Sequence, residues 1–157
     1  MNCNNSIKLG SECSEECETK CQTNWELNEG RCYLWGNKTL NWDDAEAFCQ
    51  KEGGHLASAN SRVIEAYISK EKDKRKLSSL HSQHLWIGGS DKEKEGVWKW
   101  SDGSPWKFTK WNRGQPTSVS EENCLQYYGG RTNAIRWSDR PCSEEGNFVC
   151  SQMMCSG

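Results

Sequence analysis

Residues 86–103 read WIGGSDKEKEGVWKWSDG. Together with His84 and Leu85 before it, the WIGGS segment is a short apolar run bounded by charged residues, the pattern of a buried strand. After the charged turn, Trp98 and Trp100 fall on one face and Lys99 on the other, the period-two alternation of a half-buried strand. The rest of the chain is organised around these two strands.

Upstream lie two helical patterns. In NWDDAEAFCQKEGG (41–54), Asn41 is a good N-cap, Asp43 and Asp44 suit the positive end of the helix dipole, and Gly53-Gly54 stop the helix. Trp42, Ala45, Phe48 and Cys49 make its apolar stripe. In NSRVIEAYISKEK (60–72), Asn60 or Ser61 caps a second helix that buries Ile64, Tyr67 and Ile68. The basic run from Lys70 to Lys76, broken by Glu71 and Asp73, reads as a solvated helix end. Further upstream, CQTNWELNEGRCYLW (21–35) sets an Asn-Glu-Gly turn between two aromatic-bearing arms, a hairpin that Cys21 and Cys32 could staple. Residues 1–20 hold three cysteines, of which Cys13 and Cys17 share one helical spacing with Cys21.

Downstream, residues 101–123 are rich in Gly, Pro, Ser, Asn and Thr and predict a long irregular loop, a feature that is usually functional in a small domain. Three strand-like pieces close the chain around Cys124, Cys142 and Cys150. Two helices followed by short strands predict an α+β fold. The expected organisation is a cysteine-containing N-terminal extension (1–20), one domain (21–151) and a C-terminal tail (152–157).

The composition narrows the function class. Of 157 residues only 34% are apolar, and the mean hydropathy is -0.96, so the core is modest. Nine tryptophans offset this, each able to bury on the order of 150–250 Å². A net charge of -2 and a pI near 6.0 argue against nucleic acid as a partner, and no stretch is long enough to span a bilayer. Ten cysteines in a short chain indicate disulfides and an oxidising, extracellular compartment. Zinc is disfavoured, because Cys13, Cys17 and Cys21 are spaced four apart without a histidine or a paired C-x-x-C. The sequons at Asn4 and Asn37 fit a secreted glycoprotein. Residues 1–10 lack an apolar run of signal-peptide length, which fits a mature chain or an expression start at Met1.

Cys49, the Trp86–Gly89 WIGG, the W-x-W-x-D-G of Trp98–Gly103, Cys124, the W-x-D-x-x-C of Trp137–Cys142 and the F-V-C of Phe148–Cys150 stand in the order and spacing of a C-type lectin-like domain. The wording WIGGSD and GQP resembles soluble single-domain lectins, including the fish lectins related to type II antifreeze proteins. The resemblance implies a disulfide-stapled fold of two helices, short antiparallel sheets and a long loop. It also implies the pairs Cys21–Cys32, Cys49–Cys150 and Cys124–Cys142. Cys3, Cys13, Cys17 and Cys155 remain, and four cysteines allow three pairings. Cys155 bonding back to Cys13 or Cys17 is preferred; an N-terminal cysteine linking two chains as a homodimer stays open.

In calcium-binding members of that family the sugar site is an acid-or-amide, Pro, Asp-or-Asn triplet, a Glu two residues before a cysteine, and a Trp-Asn-Asp. Mapped onto GQPTSVSEENC (114–124) and WSD (137–139), the positions are Gln115, Thr117, Glu122, Ser138 and Asp139. In the family the bond before the triplet's proline, here Pro116, is cis and aims its neighbours at one ion. Thr117 and Ser138 depart, each offering a hydroxyl where a carboxylate or amide oxygen is usual. Calcium takes 6–8 hard oxygens and its affinity follows ligand charge; extracellular modules bind at about 10⁻⁴–10⁻³ M even with full ligand sets. A weakly calcium-dependent carbohydrate site is therefore expected. A glutamine-first triplet implies galactose or GalNAc, because exchanging amide and acid reverses which sugar hydroxyl meets a donor. A weaker second calcium position maps to Asp91, Glu95 and Asn123, with Ser118 where an acid is usual; an acidic turn needs no metal. Trp106, Trp111, Tyr127 and Tyr128 are candidates to stack on a sugar, and each also reads as ordinary packing.

The competing expectation is a calcium-independent lectin-like domain that binds protein, ice or a mineral surface. Enzymatic chemistry finds little support: His55, His81 and His84 form no Ser-His-Asp or H-E-x-x-H pattern. Glu121 and Glu122 are adjacent and cannot flank one bond as opposing acid and base.

Overall fold

The computed structural model describes residues 8–9, 12–13, 20–75, 84–128 and 136–154. Cys3, Asn4, Cys17, Lys76, His81 and Cys155 lie outside the described residues, so the pairing of the four remaining cysteines does too.

Strands β1 (Lys8–Leu9) and β2 (Glu12–Cys13) pair antiparallel, Lys8 against Cys13 and Leu9 against Glu12. Cys13 thus lies in a strand, not on the helical face its spacing suggested. A recurrence of four over three residues, with no apolar stripe behind it, is too little to set a helix.

The next hairpin joins β3 (Glu26–Asn28) to β4 (Arg31–Trp35) through Glu29 and Gly30, both at positive φ (44° and 74°). That is the turn geometry whose twist matches paired strands, and Gly30 adopts it without steric cost. The Cys21–Cys32 disulfide staples the hairpin.

Helix α1 (Trp42–Lys51) starts where predicted, with the Asn41 side chain accepting the Asp44 N–H at 2.8 Å. Trp42, Ala45 and Cys49 are buried, and Phe48 is half-buried with its ring edge-on to Phe148. β5 (His55–Leu56) follows. Helix α2 (Arg62–Lys74) is capped by Ser61, whose Oγ accepts the Ile64 N–H. Ile68 is buried, while Ile64 and Tyr67 pack half-buried against the core. The charged end of this helix is not wholly solvated, because Lys72 is buried; in the first turn Glu65 is buried too. An apolar stripe alone does not reveal that long polar side chains cover the flanks of a small core.

β6 (Leu85–Ser90), β7 (Lys99–Trp100), β8 (Cys124–Tyr128), β9 (Arg136–Arg140) and β10 (Asn147–Met153) complete the chain. One sheet runs β3-β4-β10-β6-β8-β9, with β5 on β10 and β7 on β6. The ladders of this sheet are antiparallel, as expected, except one: β10 pairs parallel with β6 through Asn147 and Phe148, and its later residues pair antiparallel with β4. Parallel neighbours need a long connection, and the long loop with β8 and β9 provides one. The two glycines of WIGG have a steric reason. A Cβ on Gly88 would stand 2.6 Å from the Leu56 carbonyl oxygen, and one on Gly89 would stand 2.8 Å from Leu125 Cδ1.

Two apolar clusters form the core. One holds the buried tryptophans Trp98, Trp100 and Trp137 with α2, and the other packs α1 against Trp86 and Phe148. Cys49–Cys150 ties α1 to β10, and Cys124–Cys142 joins the start of β8 to the segment after β9. All three implied disulfides are present.

Candidate functional site

The long loop is irregular but not loose. Its tryptophans pack into the core: Trp106 tilted against Trp100 at 4.6 Å and Trp111 edge-on to Trp98 at 4.8 Å between ring centroids. Backbone bonds from Asn112 N to Trp137 O (2.8 Å) and from Trp137 N to Lys110 O (2.9 Å) fasten it to β9. Lys110 Nζ reaches the buried Glu65 carboxylate of α2 at 2.9 Å. Asn112 Nδ2 donates to the carbonyls of Tyr128 and Arg136 and to Ser138 Oγ.

From that anchor the chain turns, with Gln115 N donating to Asn112 O and Gly114 at φ 81°. The Gln115–Pro116 peptide is cis. Thr117 then meets β9: its N–H donates to Asp139 Oδ1 at 3.0 Å, and its Oγ1 lies 2.8 Å from Asp139 Oδ2 and 2.7 Å from Glu122 Oε2. A hydroxyl carries one proton, so Thr117 can donate to only one of these two carboxylates at a time. The other contact is oxygen against anionic oxygen, a juxtaposition that a proton or a cation relieves. Asp139 is 1% exposed, so water screens it little. Gln115 Oε1 is buried without a hydrogen-bond partner.

Of the five mapped positions, the structure therefore gathers Thr117, Glu122 and Asp139 directly, and Gln115 follows through the adjoining peptide. Ser138 is in the same strand, but its hydroxyl is held by Asn112. Among the described residues no three His, Cys, Asp or Glu side chains gather as a metal cluster. A cation here would draw on two carboxylates and on neutral oxygens, above all the orphaned Gln115 Oε1. A hard, oxygen-preferring ion such as calcium suits that donor set, though one acid short of generous.

The second acidic position lies behind the first. Asp91 N donates to Asn123 O, and Asp91 Oδ2 accepts the Gly96 N–H at 2.9 Å, while its Oδ1 is buried without a partner. Local loss of solvent, then the Asp91 carboxylate and more weakly Asp139, push the Glu95 carboxyl up from its ordinary value. Asn123 Nδ2 is turned to Ser120 O.

The aromatic candidates are all engaged in packing. Tyr127 is fully buried and its hydroxyl donates to Glu65 Oε1. Tyr128 stacks on His84 at 4.4 Å between centroids, and Arg140 Cζ also lies 4.4 Å from its ring centroid. His55 pairs with Glu46 through Nδ1 at 2.5 Å, while the other Glu46 oxygen accepts from Leu56 N and Ser101 Oγ. Two neighbours of the candidate site escaped the sequence reading. Asn112 holds Ser138, and Arg140 NH1 faces Glu122 Oε1 at 3.9 Å. The position of Arg140 directly after the mapped Asp139 was the available signal for it.

Comparison with known proteins agrees with the fold. The family model described as "Lectin C-type domain" matches residues 38–152. The galactose-specific lectin nattectin of Thalassophryne nattereri is 31% identical over 150 residues, covering 94% of this chain and 89% of that protein. A mannose-binding C-type lectin isoform of Oxyuranus scutellatus is 36% identical over 129 residues, covering 80% and 79%. Among solved structures, a calcium-independent type II antifreeze protein superposes with a TM-score of 0.74 at 29% identity, covering 87% of this chain and 96% of that one. With the motifs, the disulfides and the sheet in agreement, the chain belongs to the C-type lectin domain family.

Proposed function

We propose that the chain is a secreted carbohydrate-binding lectin, not an enzyme, whose lectin domain (21–151) recognises glycans at the Thr117 loop with the help of a weakly held calcium ion. The observation that carries this reading is the pair of carboxylates, Glu122 and Asp139, drawn onto a single Thr117 hydroxyl. Gln115, Glu122 and Asp139 would hold the ion, Thr117 and Ser138 adding neutral oxygens. Bound there, calcium supplies a hard cation to which two vicinal sugar hydroxyls can add their oxygens. The protein's own share is to orient the sugar: the Glu122 carboxylate accepts from one hydroxyl, and the Gln115 amide can donate to the other. The glutamine-first order leans to galactose or GalNAc, in keeping with the galactose-specific relative. The second position, Asp91, Glu95 and Asn123, is a weaker calcium site behind it, and residues 1–20 and 152–157 are an extension and a tail.

A calorimetric titration with CaCl₂, with and without galactose, tests the reading. Millimolar calcium binding that tightens with galactose supports it; no heat at tens of millimolar calcium overturns it.

A second reading has its own support. The Thr117 hydroxyl and backbone N–H already satisfy much of Asp139 without metal, and one neighbouring fold is a calcium-independent antifreeze protein. On that reading the loop surface binds protein, ice or mineral. Unchanged melting temperature and glycan-array binding after dialysis against chelator favour it, and thermal hysteresis singles out ice.

A further inference from the structure

Arg140 closes β9 immediately after Asp139, and its guanidinium is fixed from three sides. Nε donates to Glu144 Oε2 at 3.1 Å and NH2 to Glu144 Oε1, the fork geometry that matches a carboxylate bidentately. Cζ lies 4.4 Å from the Tyr128 ring centroid, a cation–π contact. The remaining nitrogen, NH1, is aimed at Glu122 Oε1 at 3.9 Å. Glu122 is therefore shared: Oε2 meets Thr117, and Oε1 faces a permanent positive charge. A purely structural arginine needs the Glu144 fork and the tyrosine only. The third contact bears on one of the two carboxylates of the proposed sugar site.

We propose that Arg140 is a built-in counter-cation of this site. Without metal it balances the charge of Glu122 and Asp139; with calcium present it repels the ion and keeps affinity low. The inference rests on the calcium reading above and adds a residue outside the ligand set. One unit charge about 6 Å from a divalent ion, in a water-like dielectric and with salt screening, changes affinity by about three- to tenfold.

The test is CaCl₂ calorimetry on the full chain and on Arg140→Gln and Arg140→Lys, with urea midpoints measured in EDTA. The expected result is three- to tenfold tighter calcium binding by Arg140→Gln together with a lower urea midpoint in EDTA, and near wild-type affinity in Arg140→Lys. Arg140→Met, which keeps an apolar stem on Tyr128, repeats the measurement if the glutamine variant does not fold. Equal affinities in wild type and Arg140→Gln overturn the inference while the calcium reading stands. Equal tightening in the glutamine and lysine variants also overturns it, because release of the Glu144 turn rather than charge is then the cause. No calcium binding by any variant removes the calcium reading, and this inference with it.

Discussion

Thr117 grips Asp139 twice, its N–H at 3.0 Å from Oδ1 and its hydroxyl at 2.8 Å from Oδ2. A residue that departs from the usual triplet thus helps to hold β9 against the loop, beside the backbone bonds of Lys110 and Asn112 to Trp137. It does so by hydrogen bonding, the work that a shared cation does in a carboxylate-rich site. On the calcium reading proposed above, the same side chain is also what weakens metal binding, because it offers a neutral oxygen where an acid is usual.

Thr117→Asp should therefore act in opposite directions in two buffers. In EDTA a third carboxylate joins Glu122 and Asp139 without a donor between them, and the melting temperature falls. In 10 mM CaCl₂ the added charge tightens the ion, and the melting temperature rises above that of wild type. Differential scanning calorimetry in both buffers checks it. A variant that loses stability equally in both shows that the triplet is wrongly mapped.

Thr117→Val isolates the hydroxyl, since it keeps the branched shape and the backbone N–H. Loss of a donor between the buried Asp139 carboxylate and the half-buried Glu122 one costs about 1.5–3 kcal/mol in metal-free buffer, the range for hydrogen bonds to charged groups. Urea denaturation in EDTA measures this. A cost below about 0.5 kcal/mol means that the hydroxyl holds neither carboxylate.

Glu122→Ala combined with Asp139→Ala removes both charged ligands. Calcium uptake by calorimetry should be lost, and glycan-array binding with it. Unchanged uptake in the double variant places the ion elsewhere, and the Asp91–Glu95 turn becomes the site to examine.

The elements that a local pattern sets were legible in the sequence. Asn41 capped its helix, and Trp98 and Trp100 shared one face. The parallel contact of β6 with β10 was not legible, because strand order depends on packing between segments far apart in the chain. At the candidate site, Gln115, Thr117, Glu122 and Asp139 were mapped by motif position, which carries backbone register but not side-chain direction. Ser138 shows the difference: it occupies a mapped position, yet Asn112 claims its hydroxyl. Arg140 was missed because its bearing on Glu122 comes from the fork to Glu144, a contact that no sequence period encodes.

Glu95 gives a pH signature. Its carboxyl is raised by local desolvation and by Asp91 and Asp139, so its folded-state pKa lies above its unfolded one. The charged form is the disfavoured one, so a deficit in stability is present above the folded pKa and is relieved as pH falls through it. Glu95→Gln should accordingly raise the melting temperature in EDTA at pH 7.5, and the gain should shrink as pH falls toward 4 and the carboxyl takes up its proton. A gain that persists at pH 4 assigns the effect to packing instead. If the second calcium site exists, the same substitution lowers the melting temperature in saturating calcium.

Lys72 makes a separate prediction about the scaffold. It is buried in α2, 3% exposed, and desolvation pulls its pKa below the ordinary lysine value against the pull of Asp73. A lysine with a lowered folded-state pKa costs stability while it is charged, fully below the folded pKa, and the cost fades as pH rises through it. Lys72→Met keeps the stem and removes the charge. It should raise the melting temperature at pH 7 by about 2–4 °C, the shift that roughly 1 kcal/mol produces in a chain of this size. The advantage should shrink toward pH 10 or above, where the wild-type amine sheds its proton. A methionine variant less stable than wild type at pH 7 would show that the ammonium group, not the stem alone, is held by its surroundings, and that burial here is compensated.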